Sequence, residues 1–522
     1  MIPLASLCLF FAVSQASGDW TALPAPALCA PPPPHGHPPA LWDGSHIRPL
    51  AARADTSTRA GGARLPLSTV AQMLEEDARA SGSPLEFFRG SPQLLARGAP
   101  AALARARALL ADLDQQAGAL AVDLEVTLRE LPNGAPADAA GTQLLAERAR
   151  CDSGEEACFG SRKSESFVES FEVEVAADSG VSRPEISLLA TGTTLHVWAS
   201  RVAQGRSIFL SGLFDTAKQA ERTSFDTQTN DLGTLEQPRL DVLQCAFSGL
   251  VESGKRLELE FCPKAGGPRY ALSIQATTLA TPSAADARGW RILDLAFLAR
   301  DARALPRLGP GALLLGDFSW TEESPAGVAL PPSAIAASLQ DSRAAGADAL
   351  ARNPPPMYWT DDLLFVPRAD APLAERALEL VSGAESLRGR TSTIELAQAG
   401  VSARFPVSSG FPARLLVGSE QPWLIGYHTE LAPQTWMPAP EVAVGFDGLC
   451  VWIGPREQAA RCAAWSVRTA PARVLGREAV RLGSLQSLSR ELRSAAGRLD
   501  LEHPQTELFG GADRLQLALR AR

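Results

Sequence analysis

Segments of this chain return in order. Leu65-Pro66-Leu67-Ser68-Thr69-Val70-Ala71 reappears as Leu330-Pro331-Pro332-Ser333-Ala334-Ile335-Ala336, 265 residues later. Leu94-Leu95-Ala96 reappears as Leu364-Phe365-Val366, and Leu124-Glu125-Val126 as Ile394-Glu395-Leu396, both 270 residues later. Pro184-Glu185-Ile186 matches Pro440-Glu441-Val442, and Val197-Trp198 matches Val451-Trp452. Arg239-Leu240-Asp241-Val242 aligns with Arg498-Leu499-Asp500-Leu501, and Arg256-Leu257-Glu258-Leu259 with Arg514-Leu515-Gln516-Leu517. Each match is weak in a chain rich in Ala, Leu and Arg. A collinear series at a nearly constant offset means two homologous units, so the fold must accommodate one architecture twice.

Each unit divides in two. In the first, His46–Arg53 reads as a short strand. Ser68–Ser81 reads as a helix capped by Ser68, with Val70, Met73, Leu74 and Ala78 on one face and Gly82 as its stop. Leu85–Phe88 and Gln93–Ala96 read as strands, and Ala99–Leu113 as a second helix with Pro100 in its first turn. After a strand at Ala119–Leu131, seven short alternating runs separated by Gly, Ser and Asp turns predict antiparallel β structure. They are Phe167–Ala176, Ile186–Leu189, Leu195–Ser200, Ser207–Phe214, Leu240–Val251, Arg256–Cys262 and Tyr270–Thr278. The expected class is therefore α+β, a tandem of a small β-α-β-β-α (KH-like) domain followed by an antiparallel β domain. The expected boundaries are 41–118 and 119–280, then 281–388 and 389–522.

Ahead of these units, residues 1–18 carry no charge. They hold an apolar run from Ile2 to Val13 and small residues at Ser14 and Ala16, the pattern of a cleaved signal peptide. Residues 19–40 read as a proline-rich linker. No uncharged stretch reaches the 20 or so residues of a membrane-spanning helix. The net charge of −9 argues against a large nucleic-acid footprint. An exported protein of the periplasm or cell envelope is expected.

Cysteine spacing agrees with export. Cys245 and Cys262 centre on Ser253-Gly254, so a two-residue turn there would set them opposite each other, within bridging distance. Cys450 and Cys462 centre on Arg456, and Cys151 and Cys158 flank Asp152-Ser153-Gly154-Glu155. All three pairs are disulfide candidates; the alternative is buried free thiols. Metal binding is not expected, because no C-x-x-C and no histidine cluster accompanies them. Cys29 remains as a spare thiol in the linker.

From Pro92 to Glu130 the chain resembles bacterial secretins, the ring-forming channels of type II and III secretion and type IV pili. Leu113-Asp114 and Leu124-Glu125-Val126 stand where that family ends a helix and begins a strand. Thr191-Gly192-Thr193-Thr194-Leu195-His196-Val197 resembles its "T-G-x-x-L-x-V-x-P" strand, and Ser248–Leu259 echoes a later hairpin. The likeness covers about 45–275, and about 290–522 only through the duplication. Glu258-Leu259-Glu260-Phe261 replaces the hairpin's Gly-Gly end, the proline-rich segment that follows it in the family is missing, and no clear pair of lipid-facing hairpins remains. The resemblance implies ancestry, fold and interaction work more than a working pore.

The chain lacks a G-x-S-x-G elbow, a P-loop, an H-E-x-x-H, a calcium loop and a dinucleotide fingerprint. Its six histidines are dispersed, at 35, 37, 46, 196, 428 and 503. His196 and His428 read as strand histidines, His35 and His37 as linker residues, and the acidic turn Asp152–Glu156 as a solvated loop. No catalytic, cofactor-binding or metal residue is expected. The reading is a non-enzymatic envelope protein that binds protein partners or itself. One alternative is a genuine secretin-type channel or periplasmic ring, with outer-membrane association. The other is an exported ligand-binding protein or hydrolase with its site between the two units.

Overall fold

The computed structural model describes residues 20–26, 65–295, 357–375 and 391–521, apart from short stretches at 89–92, 133–140, 177–178, 203–204, 227–233, 265–266, 280–288, 361–362, 373, 399–400, 409–412, 434, 457–458, 476–484, 501–504 and 510–513. The signal-like segment, His46–Arg53, most of the linker and all but residues 371–375 of the second unit's expected helices lie outside the described residues.

The first unit opens with strand β1 (Thr21–Leu23), helix α1 (Leu67–Ala80), strands β2 (Glu86–Phe87) and β3 (Leu94–Arg97), and helix α2 (Pro100–Gly118). The expected face of α1 is the buried one, with Val70, Met73, Leu74 and Ala78, and α2 buries Leu103, Ala106, Leu110 and Leu113 at helical spacing. Helix α1 starts at Leu67 behind Pro66, with no side-chain cap, so Ser68 is not the cap. Arg105 holds Asp77 through two 2.6 Å hydrogen bonds, tying the helices together. The first residues of the expected linker are not linker at all. β1 pairs with β3, Leu23 opposite Leu94, and Trp20 meets the ring of Phe88 edge-on.

The second unit repeats this sheet with β12 (Trp290–Asp294), β13 (Tyr358–Trp359) and β14 (Leu363–Pro367). The sheet orders correspond, β1-β3-β2 and β12-β14-β13, and so does the register: Leu293 faces Leu364 as Leu23 faces Leu94. The two small sheets share a core. Trp290, Ile292, Tyr358, Leu363 and Phe365 pack with the apolar faces of α1 and α2. Buried Gln116 of α2 completes the join. Its Nε2 donates to the Trp290 carbonyl at 2.9 Å, and its Oε1 accepts from the Ile292 N–H at 3.0 Å.

Apart from a 3-10 turn at Arg368–Asp370 and the helical residues that follow it, the regular structure of the rest of the described chain is strand. The first unit contributes β4 (Ala121–Leu131), β5 (Thr142–Asp152), β6 (Glu156–Val175), β7 (Gly180–Val202), β8 (Ser207–Asp226), β9 (Thr234–Glu252), β10 (Arg256–Cys262) and β11 (Arg269–Thr278). The second contributes β15 (Thr391–Gln398), β16 (Val401–Ser408), β17 (Ala413–Ala432), β18 (Thr435–Arg456), β19 (Ala459–Leu475), β20 (Leu485–Asp500), β21 (Gln505–Leu508) and β22 (Leu515–Ala521). They form two eight-stranded antiparallel sheets, ordered β21-β22-β15-β16-β10-β11-β4-β5 and β20-β19-β18-β17-β9-β8-β7-β6. One continuous core joins their bases, with Leu124, Val126, Leu272 and Ile274 from the first sheet and Leu195, Val197, Phe214 and Phe247 from the second.

This corrects the expected class. The chain is mostly β; the two α-helices described in full belong to the first unit, and in the second unit only the helical residues Ala371, Pro372, Ala374 and Glu375 are described. The α+β reading failed on strand length. Phe167–Ala176 is only the far part of β6, and Ile186–Leu189 and Leu195–Ser200 are pieces of the single strand β7. The polar stretches between them, such as Ser161–Ser166 and Ser182–Glu185, continue the β6–β7 ladder. They lack alternation because these hairpins do not bury one whole face.

Beyond the base the large sheet divides. The β7–β8 ladder begins only at Gly192, β18–β19 spans Gly448–Arg456, and β9–β17 spans Leu240–Ala246. Four hairpins therefore run on as pairs: β6–β7, β8–β9, β17–β18 and β19–β20. They pack on one another through contacts such as Ser170 Oγ donating to the Pro440 carbonyl at 3.3 Å and Val168 N–H donating to Glu236 at 3.0 Å.

Candidate functional site

The ladders define which positions of the two units correspond. Trp198 lies between Glu156 and Ser211, and Ser211 faces Ser248. Trp452 lies between Arg414 and Ala463, and Ala463 faces Ala496. Thus β6, β7, β8 and β9 match β17, β18, β19 and β20, as β4, β5, β10 and β11 match β15, β16, β21 and β22. These assignments revise two sequence matches. Val251, not Leu240, corresponds to Leu499, and the partner of β22 is β11 rather than β10. Ile274 faces Val126 as Leu517 faces Leu396.

The units are joined head to tail in both sheets. β9 and β10, which close the first unit, pair with β17 and β16 of the second. Among the described residues, the outermost strands are β5 and β6 on one flank and β20 and β21 on the other. Each flank thus offers the counterpart of a strand pair already joined inside the molecule. An unpaired strand edge carries a row of N–H and C=O groups and templates pairing with another chain.

At the base of β6 and β7, on the flank strand, three side chains converge. Cys158 and His196 face each other across the ladder, and Glu156 lies two residues from Cys158 on the same face. His196 Nδ1 is 2.5 Å from Glu156 Oε1 and 3.4 Å from Cys158 Sγ, and that sulfur is 3.6 Å from Glu156 Oε1. His196 is buried and its ring stacks on Trp198 at a centroid distance of 6.5 Å. The Cys158 residue is exposed, yet burial of its sulfur, with Glu156 beside it, pushes the thiol up to about 12. This is not a nucleophile–base–acid relay. In such a relay the nucleophile and the orienting carboxylate use opposite ring nitrogens; here both address Nδ1.

Deeper along the same face runs a polar row. Arg162 donates to Thr194 Oγ1 at 2.8 Å and to Asp215 at 3.0 Å, and Gln244 Nε2 donates to the same Asp215 oxygen at 3.3 Å. Burial draws the Arg162 guanidinium below its ordinary value, and Asp215 opposes that shift. Arg414 sits nearby on β17, buried, and burial lowers it too.

The six cysteines named as disulfide candidates are free thiols. Cys245 lies on β9 and Cys262 on β10, and these strands enter different sheets. Cys151 and Cys158 likewise lie on β5 and β6, in different sheets. Cys450 faces Trp465, and Cys462 faces Ile453. Burial pushes the thiols of Cys151 and Cys450 up to about 12 and that of Cys462 to about 11. The acidic turn is a stitched corner: Gly154 takes a positive φ of 79° and donates to the Ala199 carbonyl at 2.7 Å, while Ser153 Oγ accepts from the Arg201 N–H at 2.9 Å. Between the units, a groove of about 650 Å³ is lined by a mixture of charged, polar and apolar side chains, with Glu395, Arg404 and Arg520 beside Phe261, Leu396 and Leu517. No helix among the described residues is long and apolar enough to cross a membrane.

No family model matches the chain, and no curated protein matches it. Among solved structures, it is similar to the InvG secretin domain β-barrel of the Salmonella SPI-1 injectisome, at 14% identity over 42% of this chain and 82% of that one, with a TM-score of 0.19. It is also similar to the type IV competence pilus secretin PilQ of V. cholerae, at 11% identity over 41% of this chain and 75% of that one, again with a TM-score of 0.19. Such low values carry no argument about function, which rests on the ladders themselves.

Proposed function

We propose that this chain is a non-enzymatic structural protein of the cell envelope that assembles with copies of itself by sheet addition. The β20 and β21 flank of one copy pairs with the β6 and β5 flank of the next. One observation carries the reading: the joint between the two units already pairs these strands' counterparts, in both sheets at once. A contact of this head-to-tail type does not satisfy itself. It repeats until it closes into a ring or runs on as a filament.

The internal joint also gives the register. Ser419 faces Asp241 there, and the corresponding residues on the free flanks are Ser161 and Ser489. Directly opposed antiparallel residues stand about 4.5–5.5 Å apart at Cα, within disulfide reach. Mixing Ser161→Cys with Ser489→Cys chains under mild oxidation is expected to give a mixed dimer, and the double variant a ladder of higher oligomers. Light scattering of the unmodified chain, with and without detergent, is expected to show multimers. A monomer in both conditions, with no cross-link beyond that of the single variants alone, would sink the reading.

A further inference from the structure

We infer that Glu156, Cys158 and His196 form a binding site for a zinc-class divalent cation. The inference does not depend on assembly. Three donors of different chemistry, a carboxylate, a thiol and an imidazole, meet at one point from two adjacent strands. In a tetrahedral zinc centre, bond lengths of about 2.0–2.3 Å put neighbouring ligand atoms about 3.3–3.6 Å apart. The separations from Cys158 Sγ, 3.4 Å to His196 Nδ1 and 3.6 Å to Glu156 Oε1, already have that spacing. The remaining separation, 2.5 Å between Nδ1 and Oε1, is that of a hydrogen bond. A cation replacing the shared proton needs those two atoms to part by about 1 Å, a side-chain adjustment on the ordinary bond lengths of a zinc site.

The frame supports such a site. The ladder fixes Cys158 opposite His196, and Trp198, stacked on the imidazole, faces Glu156 across the same two strands. The mixture of thiolate, imidazole and carboxylate suits zinc, whereas calcium and magnesium take oxygen ligands. Three protein ligands leave a fourth position on the exposed side, where Cys158 meets solvent. In the second unit the corresponding residues are Arg414, Leu416 and Cys450, so the site belongs to the first unit alone. Sequence spacing could not disclose it, because the cysteine and histidine stand 38 residues apart and meet only through the ladder.

Cobalt(II) added to the reduced full-length chain tests this, because a thiolate ligand gives a sulfur-to-metal charge-transfer band and four-coordinate geometry gives strong visible bands. One equivalent is expected to produce both, and zinc to displace them. Cys158→Ser is expected to abolish the charge-transfer band. Glu156→Gln and His196→Ala are expected to weaken zinc binding by at least about tenfold, with unchanged far-ultraviolet circular dichroism. Replacing Cys450 and Cys462, or the tail residues His35 and His37, is expected to leave the spectrum as it was. A charge-transfer band that survives Cys158→Ser, or a spectrum without any thiolate band, would overturn the assignment. Zinc affinity unchanged in both Glu156→Gln and His196→Ala would do the same.

Discussion

At the base of the long strands, β6 and β7 present Glu156, Cys158, His196 and Trp198, while the same places on β17 and β18 hold Arg414, Leu416, Cys450 and Trp452. The tryptophan is kept, as is the glycine at 160 and 418. What changes is the chemistry beside the flank. β17 is covered by β9, and there Leu416 and Cys450 are fully buried. β6 is an outer strand among the described residues, and there the positions carry a carboxylate, a thiol and an imidazole. The same divergence runs one step deeper. Thr194, Asp215 and Gln244 of the first unit correspond to Gly448, Val467 and Leu492 of the second. Duplicated backbone with unequal decoration shows that ladder pairing holds the architecture, while the side chains near the β6 flank differ in chemistry even where they are buried.

The largest expected effect breaks that decoration where it is buried. Asp215→Ala removes the charge facing Arg162, whose side chain keeps only 11% of its exposure. Breaking a buried ion pair from one side costs about 3–5 kcal/mol, to be read from urea unfolding. A loss below about 1 kcal/mol would mean the row is solvated in practice. Next comes Gly160→Ala. Gly160 has a φ of +94°, and an added Cβ would stand 2.2 Å from the Thr193 carbonyl oxygen. A loss of about 1–3 kcal/mol is expected. Gly254→Ala, strained at φ +82° but meeting nothing within 4 Å, should lose less. Equal losses at the two sites would place the cost in φ alone.

Much of this was legible in the chain. The 270-residue offset between Leu94 and Leu364 is kept by the register of the small sheets, and both helix faces of the first unit follow apolar spacing. The β-strand matches slipped for a physical reason. A Leu-x-Leu alternation fits any half-buried strand, so Arg256–Leu259 matched Arg514–Leu517 although β10 and β22 hold different places. The hairpin reading of Cys245 and Cys262 failed because Ser253-Gly254 carries the chain from one sheet to the other. A turn sequence does not say whether its two strands pair. The His196 cluster needed the 38-residue return of β7 onto β6, which no local pattern encodes.

The smallest effect compares the outer face of the other sheet. Glu125 and Arg148 face each other in the first unit, as Glu395 and Arg404 do in the second, with ion-pair distances of 2.9 and 3.8 Å. Two residues along, the units part: Asp123 faces Arg150, whereas Thr393 faces Pro406. Arg150 holds Asp123 through hydrogen bonds of 2.6 and 3.0 Å, and that contact lowers the Asp123 carboxyl below its ordinary value. A carboxylate held low in the folded state adds stability above its unfolded pKa and loses it as pH falls through the folded one. Both side chains are largely exposed, so the contribution is small and weakened by salt. Arg150→Gln is expected to raise the Asp123 carboxyl toward its ordinary value in an NMR titration. Thr393, having no such partner chemistry, gives the second unit no matching step. If Asp123 titrates alike with and without Arg150, this pair is a surface encounter and the two units are electrostatically equal on that face.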